Sequence, residues 1–322
     1  MAYFLGIDGG GSKTASIVGD EIAVLGTGIS GTCKIQRVEP LQAAEALESS
    51  ILQACRAAGI VSSQIRRAYL GLAGASDRRI AAWAQDVIAR VMAGNTGAAR
   101  AEVAKRITVV GDHVIAHEAA FAGQPGVLII AGTGSIVYGV DSQGATVRAG
   151  GWGPVVSDEG SGNWIGRKAV AVCLRPGLDR NVAAGKASTD CLRNAIMAMW
   201  RVKGSEELAY AANATPPPDF AGLYPVVLQC EEKGDQISRD LLSAAGRELA
   251  QLAHQVIDSL WTESEVVKLV LVGGVAQSSA VVRSAFAAAL GTLHGLSEVS
   301  TSQQEPVMGA LSLARRASLP VV

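Results

Sequence analysis

Short apolar runs that end in glycine alternate with longer stretches of helical periodicity along this chain of 322 residues. Short apolar runs bounded by turn residues predict strands, and apolar residues recurring at helical spacing predict amphipathic helices. The strand-like runs cover residues 3–7, 15–18, 22–25, 67–72, 107–110, 127–131, 136–140, 145–148 and 266–272. The helical patterns cover residues 40–58, 78–92, 113–121, 235–259, 279–290 and 306–317. This mixture of elements predicts an α/β protein.

The order of these runs repeats along the chain. A strand, a glycine turn and further strand-like runs occupy residues 3–25, and residues 127–148 follow the same order as a weak echo. A chain of this length most often holds two domains, at roughly 100–200 residues each. We therefore expect an N-terminal domain over residues 1–117 and a C-terminal domain over residues 118–322, whose last helix can pack back on the first domain.

Composition narrows the class of protein. Apolar residues make up 49% of the chain and aromatic residues 4%, and there are 37 glycines. This predicts an aliphatic core with many tight turns, which is typical of an α/β enzyme and excludes disorder as the main state. The 28 basic and 29 acidic residues leave a net charge of -1, so no overall field favours nucleic acid or an anionic membrane as a partner.

The cysteines and the N-terminus indicate a reduced compartment. Five cysteines without a C-x-x-C pair fit neither a disulfide framework nor a zinc or iron–sulfur site. The first residues meet Asp8 before any basic side chain, unlike a signal peptide, so we expect a cytoplasmic location. The uncharged window 119–140 has the length of a membrane span, but its glycines, proline and hydroxyls favour a buried strand, turn and strand.

The strongest local signal is the sequence Gly6-Ile7-Asp8-Gly9-Gly10-Gly11-Ser12-Lys13-Thr14. A P-loop needs a lysine directly after its second motif glycine, yet Ser12 follows Gly11 and Lys13 comes one place late. A dinucleotide-binding loop opens a helix, whereas β-like residues follow here. Two interpretations stay open: a phosphate-binding turn with bare backbone amides and Asp8 at the strand end, or an ordinary glycine-rich hairpin.

Two further glycine turns follow strand-like runs. Gly132-Thr133-Gly134-Ser135 has the same anatomy as the first turn and would be placed to face it across a cleft. Gly273-Gly274 follows the run 266–272 and suits either a nucleotide base or ribose, or close packing of a helix on the sheet. Two turns of the same anatomy are much less expected by chance than one.

Taken in order, these segments resemble the BadF/BadG/BcrA/BcrD ATPase family and, within it, the N-acetylglucosamine kinases of the actin and hexokinase-like superfamily. The resemblance rests on the three glycine turns, Asp112, Gly151-Trp152-Gly153 and Ser157-Asp158-Glu159-Gly160-Ser161, and it covers nearly the whole chain. It implies two ribonuclease H-like domains around an interdomain cleft, with ATP bound mostly on the C-terminal domain and a sugar held between the domains.

The resemblance also implies an ATP-dependent amino-sugar kinase that phosphorylates N-acetylglucosamine or glucosamine at O6. Phosphoryl transfer needs phosphates held in line, a divalent metal and a base for the hydroxyl proton. Asp112 is the expected base, although its place after a strand and before a helix also suits an N-cap. Asp8 is expected to hold Mg²⁺ through water. The residues expected to bind ATP are Gly9, Gly10, Gly11, Ser12, Lys13, Thr14, Gly132, Thr133, Gly273 and Gly274.

The sugar-binding residues that the resemblance implies are Asp158, Trp152, Gly134, Ser135 and Lys34. Asp158 would accept hydrogen bonds from sugar hydroxyls and Trp152 would offer a ring face; a loop-turn aspartate and a packed tryptophan are the alternatives. Similar kinases often carry a Ser-Asn pair where Cys33-Lys34 stands here. Lys34 is either solvated or pairs with a carboxylate, as on a muramic-type sugar, so the acceptor stays open between these sugars.

Other functions fit the residues less well. An activator ATPase for a radical dehydratase shares this fold but holds an iron–sulfur cluster through cysteines, for which the chain has no motif. A transcription regulator would need a helix-turn-helix before the first hairpin. A nucleotide-dependent scaffold would keep the glycine turns but would not need Asp112 and Asp158. We expect a small-molecule sugar as partner, no nucleic acid or membrane, and a homodimer as the family's common assembly.

Overall fold

The computed structural model describes residues 1–35, 37–94, 100–175, 189–262, 264–293 and 297–318. Its strands are β1 (Tyr3–Gly9), β2 (Thr14–Gly19), β3 (Val24–Ser30), β4 (Ile65–Leu72), β5 (Ile107–Val110), β6 (Gly126–Ala131), β7 (Ser135–Val140), β8 (Thr146–Gly150), β9 (Val267–Val272) and β10 (Ser297–Thr301). Its α-helices are α1 (Pro40–Ala57), α2 (Arg78–Ala93), α3 (Arg100–Ala104), α4 (Asp112–Phe121), α5 (Gly162–Cys173), α6 (Thr189–Trp200), α7 (Ser205–Ala212), α8 (Tyr224–Glu232), α9 (Gln236–Leu260), α10 (Gly274–Ser278), α11 (Ala280–Leu293) and α12 (Pro306–Arg316).

The chain divides into two compact units. Unit 1 comprises Met1–Gln124 and Gln303–Val322, and unit 2 comprises Pro125–Ser302. Residue 117 lies inside α4, and the whole of α4 belongs to unit 1, as does α12. The chain therefore leaves unit 1 after α4 and returns to it for its last helix.

Within the described residues, the two units have five-stranded sheets with the same strand order. The order in unit 1 is β3-β2-β1-β4-β5, where β1, β2 and β3 are antiparallel neighbours and β4 and β5 join parallel to β1. Unit 2 repeats this arrangement as β8-β7-β6-β9-β10. The repeat predicted between residues 3–25 and 127–148 is confirmed, and with it the α/β class.

Helices cover both faces of the unit 1 sheet. Leu5 and Ile7 are fully buried in the cluster that includes α1 and α2, while Phe4 packs with Leu311 of α12 on the opposite face. A Cβ on Gly6 would lie 2.4 Å from the Leu311 backbone nitrogen, so glycine lets α12 contact β1 directly. The unbroken apolar run of β1 is explained by this burial on both sides.

Unit 2 is built on its long helix α9. Leu242, Leu249 and Val256 of α9 are fully buried and belong to one cluster with the strands β6 and β9. A Cβ on Gly246 would lie 2.4 Å from the Val282 carbonyl oxygen, which brings α9 and α11 into backbone contact. The helical pattern predicted over 235–259 marks this buried stripe.

The third strand differs from the sequence prediction, which placed it at residues 22–25. The Asp20 carboxylate accepts the amides of Ile22 and Ala23 at 2.8 and 2.7 Å, and this turn leaves Ile22 90% exposed at the hairpin tip. The strand proper follows as β3. Its glycines Gly26 and Gly28 face α1, where a Cβ would lie within 2.3 Å of helix backbone oxygens. Because α1 packs so closely on β3, glycines stand at positions where a strand normally carries the apolar side chains by which it is recognised.

Strand β10 was not predicted from the sequence at all. Among the described strands it pairs with β9 alone, at the edge of the unit 2 sheet, and four of its five residues are exposed. An exposed edge strand needs no apolar alternation, so its sequence carries no strand signal. No helix in the described part of the chain is both long enough and apolar enough to cross a membrane.

Candidate active site

The first glycine turn joins β1 to β2 and is closed by its own backbone. The Gly10 amide donates to the Lys13 carbonyl at 3.0 Å. A Cβ on the buried Gly9 would lie 2.8 Å from both the Cys33 sulfur and a Leu72 methyl carbon. The turn therefore excludes a side chain at residue 9 and keeps its backbone bare.

The polar side chains of this turn differ in what they can offer to a ligand. Thr14 is fully buried, and its hydroxyl donates to the Gly31 carbonyl at 2.8 Å. Ser12 and Lys13 are exposed, and Lys13 Nζ lies 3.8 Å from a Glu305 carboxylate oxygen. The hydroxyl of Thr14 is thus used in a hydrogen bond within the protein, whereas the side chains of Ser12 and Lys13 are exposed and accessible to a ligand.

The segment after β3 is fastened to the first glycine turn, a connection that sequence reasoning missed. The Thr32 hydroxyl donates to the Gly10 carbonyl at 2.9 Å and accepts the Lys34 amide at 3.0 Å. The Arg37 guanidinium donates to the Gly11 carbonyl at 3.0 Å. Hydrogen bonds from a side chain to a distant backbone carbonyl have no sequence pattern. The presence of Thr32 next to Cys33-Lys34 was the only sequence feature that could have indicated this connection. These bonds place the backbone of Lys34 close to the glycine turn in space, although the two lie more than twenty residues apart in the chain.

Two carboxylates interact at the carboxyl ends of parallel strands in unit 1. Asp8 is the penultimate residue of β1, and Asp112 opens α4 just after β5. Burial and then the Asp112 charge raise the pKa of Asp8 from 3.8 to about 6, with Glu305 adding to the rise and Lys13 opposing it. Excess negative charge in a half-buried position favours a bound cation.

Asp112 remains accessible at the start of its helix. Gly111 occupies the N-cap position, so Asp112 is the first helical residue and not the cap. The Asp112 carboxylate accepts the His113 amide at 3.0 Å, and its side chain is 44% exposed. A Cβ on Gly111 would lie 2.2 Å from the His113 ring, which explains the glycine. The helix N-terminus stabilises a negative charge at this position while leaving it open to a substrate.

The helix that carries Asp112 is anchored by an ion pair between a buried glutamate and an exposed arginine. Glu118 is 6% exposed, accepts the Ser312 hydroxyl at 2.6 Å and pairs with Arg316. A Cβ on Gly309 would lie 2.0 Å from the Ile115 carbonyl oxygen, so α12 packs directly on α4. The last helix therefore fixes the position of α4, and with it the position of Asp112.

The second glycine turn lies between β6 and β7 in unit 2 and is tied to the start of α5. The Gly132 amide donates to the Gly134 carbonyl at 2.9 Å. The amides of Gly162 and Asn163 donate to the Gly132 and Thr133 carbonyls at 2.8 and 3.1 Å. Nothing lies within 4 Å of a Cβ built on Gly132, so this side of the turn is open to a ligand.

The third glycine turn contacts the second because β6 and β9 are parallel neighbours. Gly273 has φ +98°, and a Cβ there would lie 2.5 Å from the Ala131 carbonyl oxygen and 3.1 Å from the Gly132 nitrogen. Gly274 has nothing within 4 Å of its Cβ position. Close packing therefore explains Gly273, and Gly274 adds open space next to Gly132.

Asp158 lies directly over the second glycine turn. It has φ +65°, is 7% exposed, and its Oδ2 lies 2.9 Å from a Cβ built on Gly134. Burial raises the pKa of Asp158, while hydrogen bonds from the backbone of Gly153 and Ser135 oppose the rise. The structure thus brings Asp158, Gly134 and Ser135 together. The burial of Asp158 excludes the interpretation of this residue as a solvated surface aspartate.

Trp152 belongs to the same loop but is 66% exposed. The Arg148 guanidinium lies 3.9 Å above its ring, in a cation–π contact. One ring face is thus occupied by Arg148, and the indole is not packed in a core.

A family model matches most of this chain. The model that matches residues 5–314 is described as the BadF/BadG/BcrA/BcrD ATPase family. The chain belongs to this family. Since the match extends over both units, the resemblance inferred from the ordered motifs is confirmed.

Individual relatives and solved structures agree with the family. An N-acetylmuramic acid/N-acetylglucosamine kinase of Clostridium acetobutylicum is 28% identical, covering 98% of this chain and 99% of its own. An N-acetyl-D-glucosamine kinase of Dictyostelium discoideum is 25% identical, covering 97% of each chain. A candidate N-acetylglucosamine kinase from Chromobacterium violaceum superposes with a TM-score of 0.74 at 24% identity, covering 98% and 99% of the chains. A Thermus thermophilus hexokinase of the ROK type gives 0.59 at 17% identity over 97% of each chain. The two structures confirm the actin and hexokinase-like fold.

Proposed function

We propose that this chain is an ATP-dependent kinase that transfers the γ-phosphate of ATP to O6 of N-acetylglucosamine or glucosamine. The names of the two sequence relatives, each aligned over nearly its full length, support a kinase that acts on amino sugars. The family name supports the use of ATP.

The observation that carries the proposal is the interacting pair Asp8 and Asp112. Asp112 is accessible, is held by α4, and is the group we assign as general base for the proton of the attacking hydroxyl. Asp8 lies near the end of β1, which β4 separates from β5 in the sheet, and the negative charge of Asp112 helps to raise its pKa. A structural pair of carboxylates would be matched by a buried cation, whereas Lys13, which opposes the rise in pKa, is exposed.

The residues fit a magnesium ion that arrives with the nucleotide. The described residues contain no group of three or more side chains suited to hold a metal, so such an ion would bind to Asp8 through water and to the phosphates of ATP. When bound, Mg²⁺ neutralises charge on the transferred phosphoryl group. The raised pKa of Asp8 fits this role because a nearby cation would relieve its repulsion from Asp112.

The glycine turns are the groups we assign to ATP. Gly9 to Thr14 and Gly132 to Thr133 would border the phosphates and bind them through the backbone amides that the turns do not use, since the Gly10 and Gly132 amides close the turns themselves. Gly273 and Gly274 would border the nucleoside. The open space at Gly132 and Gly274 supports this assignment. We assign the sugar to Asp158, Trp152, Gly134 and Ser135, because a buried carboxylate with a spare acceptor position can bind a hydroxyl.

The test is ADP release from ATP and Mg²⁺ with N-acetylglucosamine, glucosamine, N-acetylmuramic acid, glucose or no sugar, with phosphate position assigned by NMR. We expect strong stimulation by an amino sugar, phosphate on O6, and loss of turnover in Asp112→Asn. Glu48→Gln, an exposed carboxylate of unit 1, is the matched control. ADP release that ignores every sugar would refute the kinase and favour an ATPase of the activator type.

A carboxylated acceptor of the N-acetylmuramic acid type is the second candidate, and Lys34 is the observation that favours it. Lys34 is half-buried beside the first glycine turn, and none of the described carboxylates lies within 4.0 Å of its ammonium. A half-buried cation without a counter-ion suits a carboxylate on the substrate. The Clostridium relative is named for both sugars.

The two acceptors are separated by the KM values of Lys34→Met. If Lys34 binds the carboxylate, KM for N-acetylmuramic acid rises at least about tenfold, the loss of roughly 1.4 kcal/mol, while KM for N-acetylglucosamine changes little. Lys13→Met is the matched control and is expected to change KM for ATP instead. Equal changes for both sugars would exclude carboxylate recognition by Lys34.

A further inference from the structure

A pair of thiols lies in the core of unit 2, apart from every residue assigned to catalysis. Cys191 of α6 and Cys230 of α8 are separated by 39 residues, and their sulfur atoms are 2.7 Å apart. Cys230 is 1% exposed, and Cys191 is half-buried and packs against the same core. Cys191 is therefore the residue of the pair that is partly open to solvent, and Cys230 is enclosed in the core.

We propose that Cys191 and Cys230 form an oxidation site that takes up small-molecule disulfides and converts them into a covalent link between α6 and α8. Two sulfurs in contact need only a small approach to bond, so the two helices can keep their packing. This inference does not depend on the proposed kinase activity.

The reaction proceeds by two exchanges. The Cys191 thiolate attacks one sulfur of the small disulfide, forming a mixed disulfide and releasing one thiolate. The Cys230 thiolate then attacks the Cys191 sulfur and releases the second thiolate. The protein loses two protons and two electrons, and the small disulfide is reduced to two thiols.

The second exchange is the slower step because Cys230 is a poor thiolate former. Burial, the contact with Cys191 and the Asp235 charge raise the pKa of Cys230 to about 12, and Lys233 opposes them. Thiolate content rises as pH rises toward this pKa, so cross-linking should accelerate at alkaline pH.

The link would fasten the helix behind the candidate nucleotide turn. Tyr224 opens α8, and its hydroxyl bonds the Ser278 hydroxyl at 2.6 Å, at the end of α10, which starts from Gly274. A covalent link between α8 and α6 would restrict the movement of α8, and with it the contact of Tyr224 with Ser278 behind the third glycine turn. A cross-link closing a loop of 39 residues also limits the unfolded chain, so the oxidised protein should unfold at a temperature several degrees higher.

The experiment incubates the full chain with oxidised glutathione at neutral and at alkaline pH, followed by peptide mass spectrometry without reduction and thermal unfolding. We expect a peptide pair joined through Cys191 and Cys230, formed faster at alkaline pH, with a raised Tm that dithiothreitol reverses. Cys191→Ala should lose the link and the gain in Tm, while Cys55→Ala, a buried thiol of unit 1, should keep both.

Three results would overturn the proposal. These are a mixed disulfide that persists on Cys191, a link from Cys191 to Cys173 instead, and thiols that stay unreacted in the folded protein. If Cys191→Ala does not fold, the mapping of the unmodified sequence decides between these outcomes by itself.

Discussion

Replacing Asp8 by asparagine should stabilise the protein while abolishing its activity. Burial and the Asp112 charge move the pKa of Asp8 from 3.8 to about 6 on folding. At about 1.36 kcal/mol per pH unit, keeping Asp8 ionised in the folded state costs about 3 kcal/mol at neutral pH. Asparagine retains the size of the side chain and removes the charge, so Asp8→Asn should recover up to about that amount.

The sign of the pH dependence follows from the same shift. Below pH 3.8 the carboxyl is protonated in both the folded and the unfolded states and has no effect. Between pH 3.8 and about 6 the unfolded chain releases the proton while the folded chain retains it, so stability falls as pH rises. Above pH 6 the full cost is present. The stability gained by Asp8→Asn should therefore grow with pH and level off near neutral pH.

The assay is urea unfolding of the unmodified chain and of Asp8→Asn without nucleotide or Mg²⁺, at several pH values between about 5 and 8. The difference between the two proteins isolates Asp8 from other titrating groups. Glu48→Gln, exposed on α1, should change the free energy of unfolding by well under about 1 kcal/mol at every pH. A gain that does not vary with pH, or no gain at all, would refute the raised pKa.

Four further substitutions test other parts of the site. Asp112→Asn should lower kcat by about 10²–10⁴-fold with little change in the KM of the sugar, and steady-state kinetics showing only a KM effect would contradict its role as base. Glu118→Gln should lower the free energy of unfolding by about 1 kcal/mol because it removes the charge that pairs with the exposed Arg316, and unchanged urea unfolding would show that the pair does not anchor α4. Gly273→Ala should lower Tm because its Cβ would meet the Ala131 carbonyl at 2.5 Å, whereas Gly274→Ala should leave Tm unchanged and raise KM for ATP. Similar Tm values for the two glycine variants would count against this distinction.

Much of the fold could be predicted from local pattern. Strands β1 and β9 are apolar runs because they are buried on both faces, and α9 shows its buried stripe at helical spacing. Strands β3 and β10 escaped prediction for opposite reasons. Glycines in β3 make room for α1, and β10 is exposed at a sheet edge, so neither has the apolar residues that mark a strand.

The candidate site was predictable as a set of residues but not as a set of contacts. Glycines after strands and isolated aspartates can be read from the chain because each is set by local backbone geometry or by the chemistry of one side chain. The hydrogen bond from Thr32 to Gly10, which brings Lys34 beside the first turn, has no such local signature. The same is true of the thiol contact between Cys191 and Cys230.

The sequence by itself thus determined the elements, the glycine turns and the family, since these depend on short-range patterns and on their order. Tertiary structure alone decided that Asp8 and Asp112 interact, because parallel strands bring together ends that lie about a hundred residues apart in the chain. It also decided how α12, which the sequence analysis allowed to pack back on the first domain, contacts α4. Charge interaction and burial act through space, so the raised pKa of Asp8 exists only in the folded chain.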